Sequence, residues 1–182
     1  CDDATFCRRV WLDLAGRLPS RELLGEYLAD SAPDKRERLI DAIVSRPEFA
    51  DFWTIKWSDI LRTEEKVLDR QGVDVFHDWI RSQLAQGRPL DAFVRDLLAT
   101  EGSTYKEPAA NFYRVHRDAT SRGEVVARLF LGVRLQCARC HNHPFDRWTM
   151  DDYYSWSAIF SRIDYKIIDN KPTDKLDKNE FV

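Results

Sequence analysis

The sequence is poor in the residues that mark non-globular chains. Its 182 residues include only seven glycines and seven prolines, and 43% are hydrophobic, which excludes disordered, collagen-like and low-complexity polymers. No apolar run is long enough for a transmembrane helix, so we expect no membrane span in this chain. Because the net charge is only −3, there is no overall attraction to nucleic acid, and we predict no nucleic-acid partner.

Strand patterns are also scarce. Strict alternation of polar and apolar residues is hard to find, whereas apolar residues at helical spacing recur along the chain. The sequence therefore predicts an all-α fold, a single domain of about seven or eight helices. We expect this domain to cover residues 1–163, and residues 164–182 to form a polar extension that leads to a further region of a longer protein.

Capping residues and helix breakers place the predicted helices. The first runs from Asp3 to Ala15 and stops at Gly16, as glycine commonly ends helices. Residues 101–118 lose the apolar periodicity, and we interpret them as a long connection. The predicted helices begin near Asp3, Ser20, Asp34, Pro47, Gly72, Leu90, Ser121 and Thr149.

Four cysteines are too few for a disulfide scaffold, but two of them belong to a chemical motif. Cys137, Cys140 and His141 form C-x-x-C-H, the pattern of covalent haem attachment. Two thiols one helical turn apart can add to the two vinyl groups of one porphyrin, and the adjacent imidazole can bind the iron. The motif predicts one haem c, held in the loop between the last two helices, with His141 as the proximal iron ligand.

Two other interpretations use the same cysteines. Cys137 and Cys140, together with His141 and His143, supply enough ligands for a zinc or iron ion in a structural or interaction module. The closeness of the last three residues along the chain disfavours their joint use on one small ion. The cysteines could also form a thiol–disulfide pair, although the motif does not follow a strand as a thioredoxin-like motif does.

A proximal histidine leaves the sixth coordination position of the iron to be filled. The occupant separates an electron carrier from a haem enzyme with an open site. We identify His116, in the long connection, and Met150, at the start of the last helix, as the distal candidates. His77 and an empty or water-filled position remain alternatives.

Further side chains around the motif fit a haem pocket. Phe145 and Trp148 flank the attachment loop and are expected to form a wall that keeps water from the porphyrin. Arg134 is a candidate partner for a haem propionate. Because no carboxylate pair, nucleophile triad or glycine-rich phosphate loop stands out, the sequence does not support hydrolysis. We expect an electron-transfer domain in preference to a haem enzyme with an open site.

Several blocks of the sequence match a known family. They are residues 3–14 (DATFCRRVWLDL), 16–19, 33–36, 56–57, 130–148 (FLGVRLQCARCHNHPFDRW) and 151–154. In these blocks the chain resembles the planctomycete-type cytochrome-associated domain, a family largely of unknown function, over most of its length. At Cys7 it departs from the family pattern, which more often has an aliphatic residue.

The resemblance implies a domain of large, exported bacterial proteins that carry other cytochrome-like modules. On this basis we expect an extracytoplasmic location, either periplasmic or on the cell surface. The expected partner is a redox protein or a neighbouring cytochrome domain. The family supplies no established substrate.

Overall fold

The computed structural model describes residues 1–182, and helices account for most of the chain. Nine α-helices, three short 3₁₀ helices and a single two-stranded sheet confirm the all-α prediction. The helices are α1 (Asp3–Ala15), α2 (Arg21–Ala29), α3 (Lys35–Val44), α4 (Pro47–Ile60), α5 (Arg70–Ala85), α6 (Leu90–Ala99), α7 (Asn111–Val115), α8 (Ala119–Phe130) and α9 (Met150–Ala158). The 3₁₀ helices are Pro108–Ala110, Leu135–Arg139 and Ile159–Arg162, and the strands are β1 (Lys166–Ile167) and β2 (Glu180–Phe181).

Residues 1–62 and 77–89 form one compact unit. Helix α1 begins after Asp2, whose carboxylate accepts a hydrogen bond from the Thr5 N–H, and it ends at Gly16 with φ of 66°. A Cβ atom at Gly16 would lie 2.3 Å from the ring of Phe52, so both the backbone and the packing require glycine. The core of this unit consists of Cys7, Trp11, Ala15, Tyr27 and Ile43.

Residues 63–76 and 90–182 form a second compact unit, which contains the C-x-x-C-H motif. Trp156 of α9 donates its indole N–H to the Gly123 carbonyl of α8 at 2.8 Å. Because a Cβ on Gly123 would lie 3.1 Å from the same indole, glycine permits this close helix packing. The motif lies between α8 and α9, as predicted, over a core of Ala127, Leu135, Ala138 and Tyr153.

The segment predicted as a long connection contains α7 and the 3₁₀ helix before it. Pro108 opens this stretch, and the Asn111 side chain donates to the Thr104 and Pro108 carbonyls at 2.7 and 3.0 Å. Its buried residues include Asn111 and Arg114, which are polar, so apolar periodicity does not reveal the helix. Helix α8 also begins earlier than expected, because Asp118 is the residue that caps it.

Part of the segment 164–182 is folded into the second unit. Strand β1 pairs with β2 in antiparallel fashion, and the Thr104 N–H donates to the Glu180 carbonyl at 2.8 Å. The Glu180 side chain is buried although it is charged. No pattern in the sequence indicated this placement. None of the helices combines the length and the hydropathy needed to cross a bilayer.

Candidate functional site

The two motif cysteines lie at the end of a short 3₁₀ helix. Cys137 is within the helix at Leu135–Arg139, and Cys140 follows it directly with right-handed helical dihedral angles. The spacing of three residues between positions 137 and 140 equals one turn of a 3₁₀ helix. Leu135 and Ala138 are buried in the core, which fixes how the turn is oriented. Both cysteines are free thiols, with Cys137 half-buried and Cys140 exposed.

The imidazole of His141 is oriented by a backbone carbonyl. Its Nδ1 lies 2.7 Å from the carbonyl oxygen of Asn142, and the ring is exposed. A carbonyl oxygen only accepts hydrogen bonds, so Nδ1 carries the proton and Nε2 of the neutral ring keeps a free lone pair. Histidines that bind metals usually donate their second ring N–H in this way. The chain therefore presents Nε2 of His141 as a potential ligand atom.

A hydrogen-bonded loop follows the motif. The His143 N–H donates to the Trp148 carbonyl at 2.7 Å, and the Nδ1 of His143 accepts from the Phe145 N–H at 3.3 Å. Asp146 accepts from the Arg147 N–H at 2.7 Å and from the Trp148 indole N–H at 3.1 Å. His143 and Asp146 thus shape the loop through contacts within it.

The aromatic residues expected to wall a porphyrin have different surroundings. Phe145 is 94% exposed. Trp148 is half-buried against the core, and the Arg147 guanidinium lies 5.1 Å from its ring centroid. Arg134, the expected propionate partner, is exposed immediately before the 3₁₀ helix. Phe145 therefore offers the largest free apolar surface in the attachment loop.

The two distal candidates also differ. His116 is only 3% exposed, its ring packs 5.0 Å from that of Phe112, and its carbonyl accepts from the Arg122 guanidinium at 2.6 Å. Met150 begins α9 and is 38% exposed, and its N–H donates to the Asn142 side-chain oxygen at 3.3 Å. A direct hydrogen bond therefore joins Met150 to the attachment loop, whereas His116 lies in the packed interior.

The alternative ligands for a small ion are not gathered at one point. No group of three or more histidine, cysteine, aspartate or glutamate side chains within residues 1–182 is arranged to hold a metal ion. His143 uses its Nδ1 to accept the Phe145 N–H, as described above. A zinc or iron site that combines His143 with Cys137 and Cys140 is therefore not assembled in this structure.

A second group of polar residues is buried in the same unit and was missed in the sequence. The Arg114 guanidinium is fully buried and lies 2.9 Å from the Asp69 carboxylate and 3.3 Å from that of Glu180. Asp69 also accepts from the Tyr105 hydroxyl at 2.8 Å, and Arg117 lies 2.6 Å from Glu180. Because these five residues come from three separate stretches of the chain, no local motif marks them. We call them the Arg114 cluster.

The Arg114 cluster shifts the ionisation of two of its members. Burial would raise the pKa of Asp69, but hydrogen bonds from Tyr105 and the Gly72 N–H, with the charge of Arg114, lower this pKa below its usual value. Burial, together with the hydrogen bond to Asp69, raises the pKa of Tyr105 to about 12. Asp69 is therefore charged and Tyr105 neutral near pH 7, which suits a structural ion network.

Comparison with known proteins identifies one family. Searches of curated proteins and of solved structures return no significant match. The PSCyt2 family, described as a protein of unknown function (DUF1549), matches residues 1–165, which include α1 to α9 and the whole C-x-x-C-H motif. This confirms the expectation of an uncharacterised domain family, whose description states no activity. The chain belongs to the PSCyt2 family.

Proposed function

We propose that the chain is a mono-haem c-type cytochrome domain that transfers electrons within a larger extracytoplasmic protein. The observation that carries the proposal is the hydrogen bond from His141 Nδ1 to the Asn142 carbonyl, directly after the cysteine pair. It leaves Nε2 of His141 free for iron. Cys137 and Cys140 would provide the two covalent anchors.

The arrangement of the thiols supports covalent attachment. Cys137 lies in the last turn of a 3₁₀ helix and Cys140 is the residue that ends it, a three-residue spacing that would let one planar ring reach both sulfur atoms. Neither thiol is consumed in a disulfide. Leu135 and Ala138, at other positions of the turn, are buried in the core, so attachment at the cysteines would not require them to move.

The neighbouring side chains support a partly shielded haem. The exposed ring of Phe145 can cover a bound porphyrin, and Arg134 is free to pair with a propionate. Of the two distal candidates, Met150 is the more accessible, because His116 is 3% exposed and packs against Phe112. When bound, the haem would supply one-electron transfer at its iron. The residues of the chain would hold the ring, orient the imidazole and limit the access of water.

The proposed partner is a redox protein or a neighbouring cytochrome domain, met outside the cytoplasm. Bacteria attach haem c outside the cytoplasm, in an oxidising compartment where disulfides also form. The absence of a glycine-rich phosphate loop or a nucleophile triad in the sequence favours an electron carrier over a hydrolytic enzyme.

Export of the full chain in a bacterium that matures c-type cytochromes tests the proposal. We expect a Soret band, pigment that stays on the protein through acid–acetone extraction, and a mass increase of one haem. Cys137→Ala combined with Cys140→Ala should abolish covalent attachment. Cys1→Ser, which removes an exposed cysteine outside the motif, should leave it unchanged.

Two results would overturn the proposal. The first is a colourless protein with the mass of the bare polypeptide. The second is a colourless protein that retains zinc or iron through Cys137 and Cys140, which would instead support a metal-stabilised interaction module.

A further inference from the structure

We infer that Asn142 is a positioning residue that selects which ring nitrogen of His141 is available to a metal. The role of this selection in binding iron rests on the proposed function. The hydrogen bonds that produce it are present in the chain without haem. Asn142 takes part twice, through its backbone carbonyl and through its side chain.

The backbone carbonyl of Asn142 decides where the proton of His141 resides. The distance of 2.7 Å from the His141 Nδ1 is that of a well-formed hydrogen bond. Because the carbonyl accepts only, the bond is available to the tautomer with its proton on Nδ1 and not to the other neutral tautomer. An exposed imidazole without such an acceptor favours the proton on Nε2, where it blocks the nitrogen that would bind iron.

The side chain of Asn142 holds that carbonyl in place. Its Oδ1 accepts from the N–H of Met150, the first residue of α9, at 3.3 Å. This N–H is one of the four at a helix start that have no acceptor within the helix. The side chain therefore attaches the Asn142 peptide to α9.

Helix α9 is held in place by contacts with α8. Tyr153 is fully buried and donates to the Glu124 carboxylate at 2.7 Å, and Trp156 donates to Gly123. Both contacts hold α9 against α8. Helix α9, held in this way, is linked through Met150 and Asn142 to the imidazole of His141.

The tautomer of His141 can be measured in the full chain purified without haem. Nitrogen-15 NMR of labelled histidine, at about pH 8.5 where histidine rings are neutral, distinguishes a proton on Nδ1 from one on Nε2. We expect the Nδ1–H form to dominate in the unmodified chain and the Nε2–H form to dominate in Asn142→Ala. Asn142→Asp should restore the Nδ1–H form, because a carboxylate accepts the same N–H of Met150.

Thr149→Ala is the matched control. Thr149 and Asp152 form the capping box of α9, so this change weakens the same helix start without removing the Asn142 contact. We expect the His141 tautomer to stay as in the unmodified chain. An equal shift in Thr149→Ala, or an Nε2–H form in the unmodified chain, would overturn the inference.

The two proposals can fail separately. A colourless protein whose His141 still has its proton on Nδ1 would overturn the haem assignment and keep the role of Asn142. A covalently attached haem in a chain whose tautomer does not respond to Asn142→Ala would do the reverse.

Discussion

Arg114 has an unusual environment for a single side chain, since its guanidinium is fully buried yet meets two carboxylates. Removing an ion from water is costly, and only complete pairing and hydrogen bonding offset that cost. Arg114 also donates to the Asn111 side chain at 3.2 Å and to the Asp177 carbonyl. Loss of Arg114 would leave the Asp69 carboxylate without its ion pair and Glu180 with Arg117 alone.

Replacement of Arg114 by alanine should therefore destabilise the protein strongly. Breaking a buried ion pair from one side costs about 3–5 kcal/mol in free energy of unfolding. Urea denaturation followed by circular dichroism measures the change. Arg95→Ala, at an exposed pair 3.9 Å from Asp91, should leave the midpoint almost unchanged. Equal effects of the two substitutions would contradict the importance assigned to the buried cluster.

Met150 provides a residue-scale test of the distal position. If its thioether fills the sixth coordination site, Met150→Ala should open that site, and the reduced haem protein should then bind carbon monoxide. His116→Ala should not open the site, because the His116 ring is in the packed interior. Visible difference spectra measure the binding. Carbon monoxide binding by His116→Ala, and not by Met150→Ala, would reverse the assignment.

Helices with an apolar stripe and a recognisable cap could be predicted from the sequence. Gly16 ends α1 as expected, and Thr149 with Asp152 begins α9 through a capping box. Helix α7 could not be predicted, because it buries the polar Asn111 and because Arg114 pairs with carboxylates distant in the chain. Local patterns reveal amphipathic helices, whereas polar burial depends on tertiary contacts.

Gly72, near the start of α5, provides a prediction about helix packing. A Cβ on Gly72 would lie 2.5 Å from the Arg114 guanidinium, which is pinned by its ion pairs. Gly72→Ala should therefore destabilise the protein by roughly 1–3 kcal/mol, despite the better helix propensity of alanine. Urea denaturation checks the sign.

Gly25 in α2 is the matched control for that prediction. A Cβ there would meet nothing within 4 Å, and the position is exposed. Gly25→Ala should therefore stabilise the protein by about 0.5–1 kcal/mol. The same sign for both substitutions would show that packing against Arg114 does not decide the outcome at Gly72.

At the scale of the whole molecule, the C-terminal residues contribute to the stability of the second unit. Glu180 pairs with Arg114 and Arg117 from β2. In a fragment that ends at residue 163, the free energy of unfolding should therefore be lower by roughly 3 kcal/mol or more, because the Arg114 cluster lacks the Glu180 carboxylate. Thermal unfolding measures this, with Glu180→Ala in the full chain for comparison. A fragment as stable as the full chain would contradict the prediction.

The dependence of stability on pH should have two limits. The pKa of Asp69 is lowered in the folded state, so its contribution is complete above its unfolded pKa of about 3.9 and is lost as pH falls through the folded value. The pKa values of Tyr105 and Tyr153 are raised to about 12, mainly by burial, so their contribution is complete below their ordinary pKa and is lost as pH rises toward 12.

Urea midpoints across pH test this dependence. We expect a plateau near neutral pH, a decline below about pH 4 and another above about pH 10. Tyr105→Phe should flatten the alkaline decline, because the substituted ring has no proton to lose. If a double variant with Tyr105→Phe and Tyr153→Phe lost stability above about pH 10 as the unmodified protein does, the two tyrosines would not be the cause of the alkaline decline.

The candidate site could be predicted only where its residues are contiguous. Cys137, Cys140 and His141 form a local motif whose chemistry follows from its spacing. The contact from Met150 to Asn142 spans eight residues and depends on how the loop closes, so no spacing rule reveals it. The Arg114 cluster joins residues up to 111 positions apart, from 69 to 180, and required the complete fold.

The pairing of residues 102–104 with residues 180–182 has a consequence for biosynthesis. Gly102 exchanges two backbone hydrogen bonds with Val182, at 3.0 and 3.1 Å, and Thr104 donates to Glu180. During synthesis on the ribosome, α7 is made before residues 180–182. Arg114 therefore cannot form its ion pair with Glu180 until the end of this segment has been synthesised. Contacts between residues so far apart in the chain slow folding, and a partly folded intermediate is open to aggregation and proteolysis until they form. The second unit should therefore become protease-resistant only after residues 180–182 have emerged from the ribosome.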